Sequence, residues 1–253
     1  MKKQEIANIL DQAAKNAKAV SQMAAANQMT LEEAYEIQRM SIQLRVERGE
    51  KITGYKLGFT SKAKMEQMGV HDLIWGILTD EMELQQGETV NLNRWIHPRV
   101  EPEIAFRVSK DITRKLNLDE LPEYLDAMAP ALEIIDSRYE NFKFSLEDVV
   151  ADNCSSTGYV IGEWQPISTE ISNLKIDLLV DNNIVESASS AAILDNPLQS
   201  VVELSRLATQ AGLIIKKGQV ILAGAATAAV FLKPNQTLET KVGSLGRVTF
   251  KTI

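Results

Sequence analysis

Apolar residues change their spacing partway along the chain. Up to about residue 49 they recur at helical intervals, and from residue 51 they fall in short β-prone runs separated by turn residues. Ala-rich helical segments are expected from about residue 3 to residue 26, with a break over Asn27 to Thr30. Thr30-Leu-Glu-Glu33 is a capping box, so a helix should start there, run to about Arg48 and stop at Gly49. Arg45 and Arg48 fall in its last turn, where positive charge suits the helix dipole. Strands are predicted over 52–59, 99–108, 129–136, 157–162, 175–180, 184–187, 219–223, 237–242 and 247–252, with Gly243-Ser-Leu-Gly246 joining the last two as a hairpin. Helices are predicted over 63–68, 118–128 and 197–211. The last carries Leu198, Val201, Val202, Leu204, Leu207 and Ala208 at helical spacing, with Gly212 as its stop. The pattern predicts an α+β fold, with a helical segment over 1–50 and a β-rich domain over 51–253.

Three glutamates interrupt the apolar strands. Glu101 and Glu103 lie in Arg99-Val-Glu-Pro-Glu-Ile-Ala-Phe106, and Glu133 lies in Ala131-Leu-Glu-Ile-Ile135. Residues i and i+2 of a strand share a face, so Glu101 and Glu103 point one way while Val100, Pro102 and Ile104 point toward a core. Paired carboxylates repel unless a proton or cation intervenes. With Glu133 they make an oxygen-rich set suited to Mg²⁺ or Mn²⁺. The competing reading is a pair of solvated edge-strand carboxylates and an unrelated third, which spacing alone leaves open.

Lys56, in Gly54-Tyr-Lys-Leu-Gly58, is either snorkelling from an edge or buried beside anionic groups. The stretch Val149-Val-Ala-Asp-Asn-Cys-Ser-Ser-Thr157 offers small polar donors for a pocket, or simply a capped turn. Leu222-Ala-Gly-Ala-Ala-Thr-Ala-Ala229 has no bulky side chain after Leu222, which allows close approach of a ligand or of another backbone. His71 and His97 are too few and too isolated for a histidine metal site or a catalytic triad, and His97 reads as structural or as a supporting residue.

Composition narrows the classes. The chain has 253 residues, 45% hydrophobic and 24% charged, with a net charge of −7. This is an ordinary globular balance with no basic stripe for nucleic acid. The longest apolar run, Val220 to Leu232 apart from Thr227, is too short for a membrane span. The single cysteine, Cys154, excludes an intramolecular disulfide, fits a cytoplasmic setting and reads as a small buried residue. The polar N-terminus lacks the apolar stretch of a signal peptide.

Taken together, Gly54-Tyr-Lys-Leu-Gly58, Leu78-Thr-Asp-Glu-Met82, Pro98-Arg-Val-Glu-Pro-Glu-Ile-Ala105, Ala131-Leu-Glu-Ile-Ile-Asp-Ser-Arg138 and Val150-Ala-Asp-Asn153 resemble the hydratase/decarboxylase branch of the fumarylacetoacetate hydrolase superfamily. The resemblance runs through nearly the whole chain, in order. It implies a mixed β-roll fold with 51–253 as the catalytic domain, a divalent metal (Mg²⁺ or Mn²⁺) on Glu101, Glu103 and Glu133, and Lys56 as the active-site lysine. Leu57, Ile74, Ser155 and Thr227 become the candidate substrate contacts. The branch holds two sister activities of aromatic meta-cleavage, 2-hydroxypenta-2,4-dienoate hydration and 2-oxo-3-hexenedioate decarboxylation. Hydratases typically carry Asp-Phe-Gly where this chain has Ile74-Trp75-Gly76, which removes a candidate acid/base for adding water. Gly224-Ala-Ala-Thr-Ala-Ala-Val230 and Asp136-Ser-Arg-Tyr-Glu-Asn-Phe-Lys-Phe144 look like the decarboxylase pattern. Cys154 departs from both sisters, which usually have Ala.

The resemblance therefore implies a metal-dependent decarboxylase of a 2-oxo dicarboxylic acid, with no Schiff-base cofactor. It also implies a homo-oligomer that could associate with the sister hydratase. The hydratase itself is the nearest alternative. A metal-dependent C–C hydrolase and a non-enzymatic 2-oxo-acid-binding protein are further ones.

Overall fold

The computed structural model describes residues 1–60 and 72–253, so the helix expected over 63–68, like His71, lies outside the described residues. The N-terminal layer comprises α1 (Lys3–Lys15), α2 (Ala24–Asn27) and α3 (Leu31–Glu47). The expected run to residue 26 is broken after α1. Ala17 turns into the left-handed region and Val20 forms a parallel bridge to Tyr139, so the chain is drawn away by the main body. The Thr30 capping box forms, with Glu33 N–H donating to Thr30 Oγ1 at 3.2 Å and Thr30 N–H to Glu33 Oε2 at 3.0 Å. At the other end of α3, Arg48 donates twice to the buried Asp11, at 2.8 and 2.7 Å, fastening α3 to α1. Gln38 in mid-helix donates to the carbonyls of Trp75 and Val150, both at 3.0 Å, fixing the helical layer to the rest of the molecule.

Fourteen strands follow among the described residues. They are β1 (Ile52–Gly58), β2 (Ile74–Thr79), β3 (Glu83–Leu84), β4 (Thr89–Val90), β5 (Arg99–Val108), β6 (Leu125–Ile135), β7 (Ser156–Ile161), β8 (Gln165–Pro166), β9 (Lys175–Val180), β10 (Asn183–Ser189), β11 (Val220–Leu222), β12 (Val230–Phe231), β13 (Thr237–Val242) and β14 (Gly246–Thr252). The larger sheet has the order β2-β1-β11-β5-β6-β7-β3, with β12 also on β5 and β8 also on β6. It is mixed, since β1 runs parallel to β11 and β3 to β7. The smaller sheet has the order β10-β9-β13-β14-β4, and the Gly243–Gly246 hairpin closes β13 on β14 as expected.

Two predictions fail instructively. The helix expected over 118–128 forms only in its first part, as a 3₁₀ turn (Leu118–Glu120) and a four-residue helix (Leu121–Tyr124), and from Leu125 the chain is β6. Leu118, Leu121, Leu125 and Met128 keep helical spacing, but pairing with β5 overrides that local preference. Strand β2 is not among the predicted strands, because all six of its residues are buried and leave no alternation to read. The last helix, α5, appears after the shorter α4 (Leu146–Ala151). It spans Leu198–Gln210, and Gly212 follows at φ +66°.

The β5–β6 pair lies at the centre of the larger sheet, in a register that sets Glu101 opposite Glu133. Pro102 is tolerated in this central strand because β11 ends its pairing at Ala105 and β12 starts at Val100. Its carbonyl accepts from Ala226 N–H at 3.0 Å, so that edge faces the small-residue loop between β11 and β12, where its missing N–H leaves no ladder bond unmade.

Candidate functional site

The two strands carrying the glutamates are buried on both faces. Val100 and Ile104 enter the apolar core, and the opposite face buries Glu101, Glu103 and Glu133, at 7%, 0% and 0% exposure. This excludes the solvated-edge alternative. One carboxylate oxygen from each lies within 4.8 Å of the others. Glu103 Oε2 accepts the Gly224 N–H at 2.7 Å, whereas Glu103 Oε1 and Glu133 Oε1 have no hydrogen-bond donor among the described residues.

Lys56 reaches this cluster from β1. Its Nζ lies 3.0 Å from Glu133 Oε2 and donates to the Cys154 carbonyl at 3.3 Å. Its neighbour across β2 is Gly76, where a Cβ would stand 2.8 Å from the Asn153 carbonyl and 3.2 Å from the lysine stem. Gly76 therefore makes the room through which Lys56 enters. Burial works against the ammonium, but Glu133 and the other nearby negative groups hold the Lys56 pKa above its ordinary value. Burial, and then Glu133, push Glu103 well above the carboxylate range, and Glu133 is itself raised by burial despite Lys56.

The arrangement fits a hard divalent cation. Lys56 offsets part of the negative charge by pairing with Glu133, and a doubly charged ion would offset more of it. The donor set is all oxygen, as Mg²⁺ and Mn²⁺ prefer. The unpartnered buried oxygens would otherwise carry a desolvation cost with no compensation.

The stretch after α4 is both a turn and a pocket wall. Asn153, Cys154 and Ser155 are all left-handed, with φ of 50°, 53° and 58°. Strain of this kind persists only where the surroundings impose it. Here Asn153 reads the β2 backbone through bonds of 2.8 Å to the N–H and carbonyl of Ile77. The turn aims the Cys154 carbonyl at Lys56 and buries Ser155 Oγ without a hydrogen-bond partner among the described residues. Burial pushes the Cys154 thiol up to about 12, so it serves as packing rather than as a nucleophile.

Beside the carboxylates is a cavity of about 90 Å³. Lys56 and Glu101 form its polar side, with Leu57, Ile74 and Ser155 also on its wall. Phe142 and Phe144 line it as well. Both belong to the Asp136–Phe144 segment, where spacing alone gives neither ring a role. Thr227 does not line this cavity, and its hydroxyl donates to the Ala228 carbonyl at 3.1 Å. In the small-residue loop it is Gly224 that matters. It has φ +104°, and a Cβ there would lie 2.3 Å from Thr60 Oγ1. The Asp136–Phe144 segment also holds the buried Arg138, which pairs with Asp152, and Asp136, whose two oxygens accept the N–H groups of Ile96 and His97 at 2.8 Å each.

The family model described as fumarylacetoacetate (FAA) hydrolase C-terminal matches residues 61–252. The chain belongs to the fumarylacetoacetate hydrolase family. Within this family it is 48% identical, over 252 residues covering 100% of this chain and 98% of the relative, to a 4-oxalocrotonate decarboxylase of a Pseudomonas species. It is 34% identical to a 2-keto-4-pentenoate hydratase of Paraburkholderia xenovorans (strain LB400), over 87% of this chain and 83% of that one. Its fold matches the 4-oxalocrotonate decarboxylase of Pseudomonas putida G7, solved with magnesium and adipate. The TM-score is 0.95 and the identity 33%, covering 99% of this chain and 97% of that one.

Proposed function

We propose that this chain decarboxylates 2-oxo-3-hexenedioate (4-oxalocrotonate) to 2-hydroxypenta-2,4-dienoate with the help of Mg²⁺ or Mn²⁺. The observation that carries the proposal is the buried set of three carboxylates and one lysine beside a cavity with Ile74, not an acid, on its wall. The 48% identity with a 4-oxalocrotonate decarboxylase supports the same reading.

In the reaction the C5–C6 bond breaks and CO₂ leaves. The electron pair runs from C5 through C3=C4 to the 2-oxygen, which then takes a proton. Glu101, Glu103 and Glu133 would hold the divalent ion, whose chemistry when bound is Lewis-acid stabilisation of charge developing on a 2-oxo acid. Lys56 stays protonated at neutral pH because its pKa is held up, so it can donate to the oxyanion or to the 1-carboxylate. Ile74, Phe142 and Phe144 give the cavity an apolar wall that limits water near the reacting chain. Ile74 stands where hydratases of the branch typically carry Asp, so that position on the described cavity wall offers no acid to deliver water.

The place of the reaction in aromatic meta-cleavage, a homo-oligomeric state, association with the sister hydratase and a cytoplasmic location belong to the same proposal. Among the described residues no helix is long and apolar enough to cross a membrane. The test is incubation of the purified protein with 2-oxo-3-hexenedioate and Mg²⁺, following ultraviolet absorbance and CO₂. Stoichiometric CO₂ release is expected, abolished by chelator. Consumption of the dienoate without CO₂ release from the dicarboxylate would overturn the reading in favour of a hydratase.

A further inference from the structure

Arg99 is the neighbour of the carboxylate cluster that the mechanism above does not use. It lies on β5 two residues before Glu101, so its side chain leaves the strand on the same face as Glu101 and Glu103. Its partner across β6 is Ile135, which lines the cavity, and its partner across β12 is Phe231. The guanidinium is sandwiched, with the Phe142 ring 4.0 Å from its centre and the Phe231 ring 4.1 Å away. Both flat faces are thus covered, which leaves only the edge, where the N–H donors point. That edge has no partner among the described residues. Nε is buried without a hydrogen bond, and no ion pair to Arg99 forms.

Phe142, the ring that both lines the cavity and covers Arg99, is held at φ +56° directly after Asn141 at φ +59°. A bulky side chain rarely adopts that region, and the turn persists because the ring is packed from several sides. One neighbour is His97, at 5.1 Å between ring centroids, whose Nε2 is a second buried polar atom without a partner among the described residues.

We propose that Arg99 is the specificity-determining residue that binds the remote carboxylate of the dicarboxylic substrate, with Phe142 and Phe231 holding its guanidinium edge-on. The inference rests on the decarboxylase reading and adds to it the recognition of the far end of the substrate. Reach agrees. Arg99 and Glu101 are separated by roughly 6.6 Å along the strand, two residues at about 3.3 Å each. An extended six-carbon chain with bonds of about 1.5 Å spans about 6 Å between its terminal carbons. A guanidinium edge matches a carboxylate with two parallel hydrogen bonds, and gripping C6 fixes the orientation of the C5–C6 bond against the conjugated system. The C6 carboxylate still carries most of its charge as the C5–C6 bond starts to break, so the grip acts alike on ground state and transition state, and Arg99 should set KM far more than kcat.

The test compares adipate with hexanoate, which has the same chain length but lacks one carboxylate, by titration calorimetry on the Mg²⁺-loaded protein. The wild type is expected to bind adipate at least about 10-fold more tightly, and Arg99→Gln to bring the two within about 2-fold. For 2-oxo-3-hexenedioate, Arg99→Gln should raise KM about 10-fold and leave kcat within about 3-fold. If that variant does not fold, Arg99→Lys is read on the same ratio. Its flexible point charge cannot fill the slot between the rings, and most of the preference should be lost. A folded variant that keeps the full adipate preference overturns the proposal, as does one in which kcat collapses at unchanged KM. Adipate preference without CO₂ release by the wild type would overturn the decarboxylase reading while leaving Arg99 as a dicarboxylate-recognition residue. CO₂ release with the preference intact in Arg99→Gln would do the reverse.

Discussion

Asp152 and Glu103 are both buried carboxylates, and their surroundings treat them in opposite ways. Arg138 donates from its main chain and from its guanidinium to the two Asp152 oxygens, and also to the Asp152 carbonyl. Burial raises the Asp152 carboxyl to about 6, with Arg138 pulling the other way, and the group is therefore ionised at neutral pH. Glu103 receives one backbone N–H from Gly224 and faces two more carboxylates, and the nearby Lys56 pairs with Glu133 rather than with Glu103. A buried acid with its own arginine is a joint in the structure, here locking the Asp152–Ser156 turn to the end of β6. A buried acid short of positive charge is a seat for something that arrives from outside.

If that contrast holds, its two halves should break differently. The largest effect is expected at the uncompensated centre. Glu103→Gln should lower kcat/KM at least about 1,000-fold, because several kcal/mol of charge stabilisation are lost with the metal. The metal-free variant should melt no lower than the metal-free wild type, since one repelling charge has gone. A metal-free melting temperature well below wild type would show that Glu103 is a structural joint after all. At the compensated centre Arg138→Met should destabilise the fold by about 3–5 kcal/mol in urea titration, because Asp152 is left buried without its guanidinium partner. A loss below about 1 kcal/mol would contradict the assignment of that pair. Third, saturating Mg²⁺ should stabilise the wild type by about 2.7 kcal/mol at 100 times Kd and leave Glu133→Gln almost unmoved. Equal stabilisation of both proteins would place the ion elsewhere. The smallest effect is a gain. Ile74→Asp should introduce slow water addition to the dienoate, detectable by product analysis, and its absence would remove Ile74 as the reason hydration is excluded.

The sequence was most legible where a local rule and the tertiary structure agree. The Thr30 capping box, strands 99–108, 175–180 and 237–242 and the Gly243–Gly246 hairpin all formed where spacing placed them. The carboxylates could be paired on one face from their spacing, but their burial could not be read, because alternation alone does not say which face is wet. β2 was illegible for the same reason in reverse, since a strand buried on both sides has no period. Leu125–Met128 was misassigned because its apolar spacing suits a helix equally well, and only the ladder with β5 decides between the two. Gly76, Phe142 and Arg99 stayed hidden because their roles depend on what approaches from distant segments: a lysine stem, two aromatic rings and a ligand.

All three carboxylates come from β5 and β6, a single antiparallel pair whose strands are neighbours in sequence. Lys56 arrives from β1, which joins the sheet only by docking parallel to β11, more than 160 residues away in sequence. In kinetic terms, the local pairing is expected to bring the negative charges together before the distant contact supplies the lysine. The ascent to the native state should therefore be slowed by self-repulsion and eased by cations. Refolding from urea is expected to speed up with Mg²⁺ in the wild type and to lose that dependence in Glu133→Gln, with the change appearing in the folding limb rather than the unfolding limb. An unchanged folding limb would mean that β1 docks before the carboxylates meet.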